Sequence, residues 1–218
     1  MVELYAVRSE RLPEPEELLP RVRVDVGGKR REWETMKKAR AKESIAGILL
    51  LQAALREKGI PCESVKLSVS PSGRPEIPGV GADFNLSHTD GLIVCAIESG
   101  EENPRVGVDA ERIKKRDFDS MQRIAERWFS AQELEAFRQD GSEETFLRIW
   151  TGKEAAVKWT GDGLKEIKRA DTTRPHPVAG AKLVSYSLPD FAVSLCHREG
   201  TIPPEKIRLL SVDEICIK

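Results

Sequence analysis

VGVDAERI, residues 106–113, reads as a β-strand whose two carboxylates point one way. Side chains alternate between the faces of a strand, so Asp109 and Glu111 share one face while Val108 and Ala110 turn into a core. WTGKEAAVK, residues 150–158, reads as helix, and there Glu154 and Lys158 stand one turn apart on a common face. A third carboxylate and a cation thereby come to meet the strand pair. Oxygen ligands suit a hard cation such as magnesium, which keeps several waters and is bound together with substrate phosphate. Read alone, each part also has a plainer account: a solvated strand edge joined to Arg112, and a helix-surface ion pair between Glu154 and Lys158.

The chain around these segments has 218 residues and 24.4 kDa, enough for one domain or for two compact halves of about 100 residues each. Its 35 basic residues nearly balance 36 acidic ones, for a formal net charge of -1. Bulk charge gives no case for nucleic acid, so any anion site must be local. Cys62, Cys95, Cys196 and Cys216 are far apart, and three lie in apolar, strand-like surroundings. They read as reduced core thiols, not as a disulfide framework or zinc knuckle. MVELYAVRSE at the start carries charge among its apolar residues and looks like a first strand, not a signal peptide. No apolar run reaches membrane-spanning length, and a cytoplasmic protein without membrane contact is the expectation.

Working along the chain, RLPEPEELLP breaks regular structure, and a helix follows from roughly Trp33 to Lys58 with Ile45, Ile48, Leu51 and Leu55 as its apolar face. The basic start of that helix, Lys37, Lys38, Arg40 and Lys42, offers a phosphate-binding edge or a solvated one. SVKLSVSPSG reads as a strand ending at a turn, and Leu92 to Ile97 as another strand after the turn Thr89-Asp90-Gly91. The polar stretch near 101–105 is the best boundary, dividing residues 1–104 from 105–218. Met121, Ile124, Ala125 and Trp128 make a helical stripe, a helix starts after Ser130, and another spans about Glu143 to Trp159. AKLVSYSL and DFAVSLCH read as strands in the tail, and the second echoes GLIVCAIE in length and pattern.

Several candidate groups have local explanations as well. Ser130-Ala-Gln-Glu133 fits a capping box, a role that outranks metal binding for Glu133 unless one oxygen stays free. Asn85, Ser87 and His88 end a strand beside a glycine turn, as phosphate contacts or as a loop network. Arg74 is held by the following Pro75 near a ligand or at a surface turn. Gly152 inside a helix costs about 1 kcal/mol against alanine and permits close approach of another segment or marks an irregularity.

In order and spacing, SGRPEIP, FNLSHTDG, VGVDAERI, RWFSAQE and WTGKEAAVKWTGDGL resemble the 4'-phosphopantetheinyl transferase superfamily, in its longer surfactin-synthetase-activating (Sfp-like) type. The resemblance extends over most of the chain. It implies an α/β (α+β) fold of two similar halves, each a small antiparallel sheet with a long packed helix, related by a pseudo-twofold with a cleft between. It implies transfer of phosphopantetheine from coenzyme A to a serine of an apo acyl or peptidyl carrier protein, by a monomer. Carried over by motif, Asp109, Glu111 and Glu154 match the magnesium ligands, Glu133 an additional acid nearby, and Lys158 a phosphate contact. Arg74, Pro75, Ser87 and His88 match coenzyme-A-binding positions, and Lys42 the basic contact near the start of the long helix. Glu154 is the first choice to receive the serine proton, ahead of Glu111 or a metal-bound hydroxide. Asp90 and Gly152 depart from the family pattern. An inactive coenzyme A or carrier-binding module and a magnesium-dependent phosphate-ester hydrolase are the competing readings.

Overall fold

A computed structural model describes residues 1–100 and 103–217, so part of the boundary expected near 101–105 lies outside the described residues. The first strand, β1 (Val2–Arg8), leads through the short helices α1 (Pro15–Leu18) and α2 (Lys29–Thr35) to the long helix α3 (Lys38–Glu57). The single helix expected from Trp33 to Lys58 is therefore two. Met36 and Lys37 adopt extended ψ values near 155° and 135° and break it. The expected strand in SVKLSVSPSG shrinks to β2 (Ser68–Val69), paired with β3 (Pro75–Glu76).

Helix α3 was expected to bury one face. Every residue from Ile45 to Leu55 is buried, because neighbouring elements wrap it on all sides. Even Gln52 is satisfied there: its side chain accepts from the amides of Arg23 and Val24 (2.5 and 3.1 Å) and donates to the Arg21 carbonyl (3.1 Å).

The polar segment before the turn forms β4 (Ala82–Thr89), which makes a hairpin with β5 (Leu92–Ser99). Next come β6 (Val106–Arg112), the helices α4 (Phe118–Trp128), α5 (Ala131–Asp140) and α6 (Glu143–Thr160), and the hairpin β7 (Ala181–Leu188) and β8 (Phe191–Arg198). A last strand, β9 (Arg208–Leu210), and helix α7 (Val212–Ile215) end the described chain. The expected stripe on α4 holds in part: Met121 and Ala125 are buried, while Ile124 faces outward.

The first sheet runs β4-β5-β1-β9 and the second β6-β8-β7. Pairing is antiparallel except for β9 on β1, which brings the tail back into the first sheet. The two echoing segments are β5 and β8, each the second strand of a hairpin and each with a partner on both edges. Alternation along β1 and β5 builds both cores. Tyr5, Val7, Ile93, Cys95 and Ile97 face α3, while Leu4, Ala6, Leu92, Val94 and Ala96 face Val106, Val108, Ala110, Val193 and Leu195 of the second sheet. Ala155 and Ala156 of α6 cover the other side of that sheet with Cys196. All four cysteines are buried and unbridged, in keeping with core thiols.

Where the sheets meet, β4 and β6 are joined by side chains. Asp83, Asn85 and Thr89 accept from the amides of Val106, Val108 and Arg112, at 2.9, 2.9 and 3.1 Å. The remaining member of this row, Ser87, donates to Asp109 Oδ1 at 2.8 Å. Across β6, Gly107 lets helix α6 lie directly on the strand, since a Cβ there would stand 2.2 Å from the Ala155 carbonyl oxygen and 2.5 Å from the Trp159 nitrogen. Both obstacles are backbone, so Gly107→Ala should lower stability by at least about 1–3 kcal/mol, the usual cost of overpacking. An unchanged thermal unfolding curve would show that α6 is free to move away.

Candidate active site

Asp109 stands at the meeting of three elements: β6 carries it, β4 supplies Ser87, and α6 supplies Lys158. The aspartate is only 3% exposed, and its Oδ1 accepts from Lys158 Nζ at 2.7 Å and from Ser87. Lys158 Nζ also donates to Ser87 Oγ at 3.0 Å and to the Val108 carbonyl at 3.1 Å. All three ammonium donors are thus directed at this corner. The other oxygen, Oδ2, is one of two buried side-chain polar atoms among the described residues that lack a hydrogen-bond partner.

Glu111 and Glu154 bring further negative charge to this corner. Burial first, and then the charge of Asp109, raises Glu111 above the usual carboxylate range, with Arg116 opposing. Arg116 holds Glu111 at 3.2 Å and Glu143 at 2.5 Å, which ties the end of β6 to the start of α6. Burial and the charges of Asp109 and Glu111 push Glu154 up to about 7 against the pull of Lys158. A group of carboxylates under mutual repulsion, one with a bare buried oxygen, fits a bound cation. Among the described residues, however, no group of three or more His, Cys, Asp or Glu side chains is gathered closely enough to make a cage by itself. That arrangement suits an ion that takes one or two carboxylates and completes its shell with water and phosphate.

Two adjoining clefts flank this corner. One, of about 300 Å³, is lined by Arg74, Pro75, Asn85, Glu154, Lys158 and the glycine turn at Gly161. The other, of about 390 Å³, shares Pro75 and Leu86 with it and runs past Ser87 and His88 to Lys29 and Arg40. Its α3 wall is formed by Arg40, Glu43, Ser44 and Gly47, the spacing of one helix face. Lys42 lies off that face and pairs instead with Glu14 at 2.8 Å. The basic residues that line this cleft are Arg40, from the same basic cluster as Lys42, and Lys29, which periodicity did not single out. His88 is exposed in this cleft, 3.9 Å from Glu43.

Two other expected site residues are occupied elsewhere. Glu133 makes the expected capping box with Ser130, but neither oxygen stays free. Oε2 accepts from the Ser130 amide and from Lys153 Nζ at 2.8 Å, and Oε1 from the amide and hydroxyl of Thr172. Glu133 and Lys153 are both fully buried, so the glutamate is the countercharge of Lys153 and not a metal ligand. Arg74 is 7% exposed and paired with Asp83; both its terminal nitrogens are engaged by protein acceptors, and its buried Nε is the second of the two unpartnered atoms among the described residues. Gly152 has a packing reason: a Cβ there would stand 2.8 Å from Leu183 and 3.0 Å from Thr172. Close approach of another segment is the reading that holds for it. Asp90 sits at the outer turn, 3.4 Å from Arg112.

A model of the 4'-phosphopantetheinyl transferase superfamily matches residues 105–201, the stretch that carries Asp109, Glu111, Glu154 and Lys158. Similar over a longer span are a 4'-phosphopantetheinyl transferase of Bacillus pumilus, 29% identical across 80% of this chain and 78% of its own, and the Sfp transferase of Bacillus subtilis, 27% identical across 80% and 82%. Over residues 105–201 the chain is similar to the 4'-phosphopantetheinyl transferase superfamily. A further transferase of Bacillus subtilis is 33% identical, but the match covers only 52% of its length.

Two measurements check these placements. Glu133→Ala should cost about 3–5 kcal/mol in denaturant unfolding, because Lys153 is left charged and unpaired in the interior; a metal ligand at that position would leave metal-free stability nearly unchanged. For Glu154, the folded state binds its proton more tightly than the unfolded state does. Stability of the metal-free protein should therefore fall as pH rises from about 4.5 to about 7. Glu154→Gln should flatten that fall in melting temperature, and an identical slope in the variant would place the titration elsewhere.

Proposed function

We propose that this chain transfers the phosphopantetheine arm of coenzyme A to a serine of an apo acyl or peptidyl carrier protein and releases adenosine 3',5'-bisphosphate. The observation that carries the reading is the buried, unpartnered Oδ2 of Asp109 beside Lys158 and two carboxylates of raised proton affinity. Asp109, Glu111 and Glu154 would hold a magnesium ion there. When bound, such an ion offsets the charge of the pyrophosphate and makes its phosphorus more open to attack.

The remaining work falls to the chain. Lys29, Arg40 and His88 offer donors to the phosphates of coenzyme A along the larger cleft, whose floor of Ile48, Leu67 and Phe84 suits an apolar ring face. Lys158, anchored from below by Val108 and Ser87, presents positive charge to the group in transfer. The serine oxygen bonds to phosphorus as the bond from phosphorus to the bridging oxygen breaks, and the serine proton passes to Glu154.

At the same level of inference, the chain acts as a monomer in the cytoplasm. Ser87 from the first sheet and Asp109 and Lys158 from the second half complete the corner without a second copy. Four buried, unbridged thiols suit a reducing compartment, and no helix among the described residues is long and apolar enough to cross a membrane. We divide the chain into halves 1–104 and 105–218, with β9 and α7 of the second returning to the core of the first.

Incubated with coenzyme A and magnesium, the chain should raise the intact mass of an apo carrier protein by one phosphopantetheine unit. Asp109→Ala should abolish that gain while preserving the fold. Coenzyme A binding without any gain, across acyl and peptidyl carriers, would make the chain a binding module; coenzyme A cleavage without a carrier would make it a hydrolase.

A further inference from the structure

Three consecutive carbonyls end helix α6, and arginines take all of them. Arg105 donates to the carbonyls of Trp159 and Thr160, and Arg74 to that of Lys158. The final carbonyls of a helix lack partners within it and carry the negative end of its dipole, so a cation there fixes the last turn. That turn bears Lys158. The Arg74 fork does more than cap, because it also donates to the Val106 carbonyl at 2.9 Å, to the Phe84 carbonyl at 3.2 Å and to the carboxylate of Asp83. Asp83 in turn accepts from the Val106 amide at 2.9 Å. One guanidinium therefore touches the three segments that supply the corner: β4 three residues before Ser87, β6 three residues before Asp109, and α6 at Lys158 itself.

We propose that Arg74 is a positioning residue: its buried fork holds the end of α6 that carries Lys158 against the strands that carry Asp109 and Ser87, and it makes no contact with phosphate. A lysine in its place keeps the charge for Asp83 but lacks the planar fork, and a single ammonium does not reach carbonyls on three segments in the same way. The role in turnover rests on the transferase reading above; the role in placing Lys158 does not.

The test uses the full chain carrying Arg74→Lys. Its kcat for carrier modification should fall by about tenfold to about 100-fold, the scale of a small misplacement of a reacting group. KM for coenzyme A should stay within about threefold of the parent, since no phosphate contact is lost. Independently of activity, reductive methylation followed by peptide mass spectrometry should modify Lys158 several-fold faster in the variant. A larger rise in KM, an unchanged kcat or an unchanged Lys158 labelling rate each overturns the proposal. Should the parent transfer nothing to any carrier, the transferase reading fails, and the labelling rate together with coenzyme A affinity by calorimetry still decides the role of Arg74. If Arg74→Lys does not fold, Asp83→Asn carries the same expectations, and failure of both to fold overturns the assignment in favour of a support for the whole seam.

Discussion

Three amides of β6, at Val106, Val108 and Arg112, are answered by side chains of β4, and this bridged seam is the constraint on which the site depends. A direct ladder between the strands would bring their backbones to ordinary sheet spacing. Here Asp83, Asn85 and Thr89 reach across to Val106, Val108 and Arg112 instead. Because the bridging residues recur at every second position, register is fixed as firmly as in a ladder. The position in the row that reaches a side chain of β6 is Ser87, which donates to Asp109. The site opens where side-chain bridging takes the place of backbone pairing.

Charge at this corner is arranged out of balance. Lys158 occupies one oxygen of Asp109, while the other oxygen, Glu111 and Glu154 share a partly buried space without equal countercharge. Elsewhere in the interior the rule is the reverse: Glu133 with Lys153, and Arg74 with Asp83, pair off with their hydrogen-bonding capacity largely filled. Buried charge is costly unless it is compensated. An uncompensated group within a chain that compensates its other buried charges is the feature on which the proposed cation and phosphate site rests.

Much of the fold was legible from patterning. The alternation in VGVDAERI put Val108 and Ala110 in the core shared by the sheets, and the helix expected from Glu143 to Trp159 differs from α6 by one residue. Errors arose where local pattern and tertiary contact diverge. Helix α3 is apolar at every position but Gln52 between Ile45 and Leu55, so no stripe told which of Arg40 and Lys42 faces the cleft. The break at Met36 carries neither glycine nor proline and left no mark in composition. Short β2 was overread because alternating residues suit an exposed extended segment as well as a strand.

Sequence by itself determined the acidic and basic inventory, the spacing that puts Asp109 beside Glu111 and Glu154 one turn from Lys158, and the family that this order resembles. These are properties of neighbours along a strand or helix, set by their periods. Only the tertiary structure decided which of the charged groups are free to act. Glu133 and Arg74 share the residue types of the site, but Lys153 and Thr172 engage both oxygens of Glu133, and Asp83 with carbonyls of three segments engages the terminal nitrogens of Arg74. A residue's type fixes what it can bond to, and packing across the fold fixes what remains for it to bond.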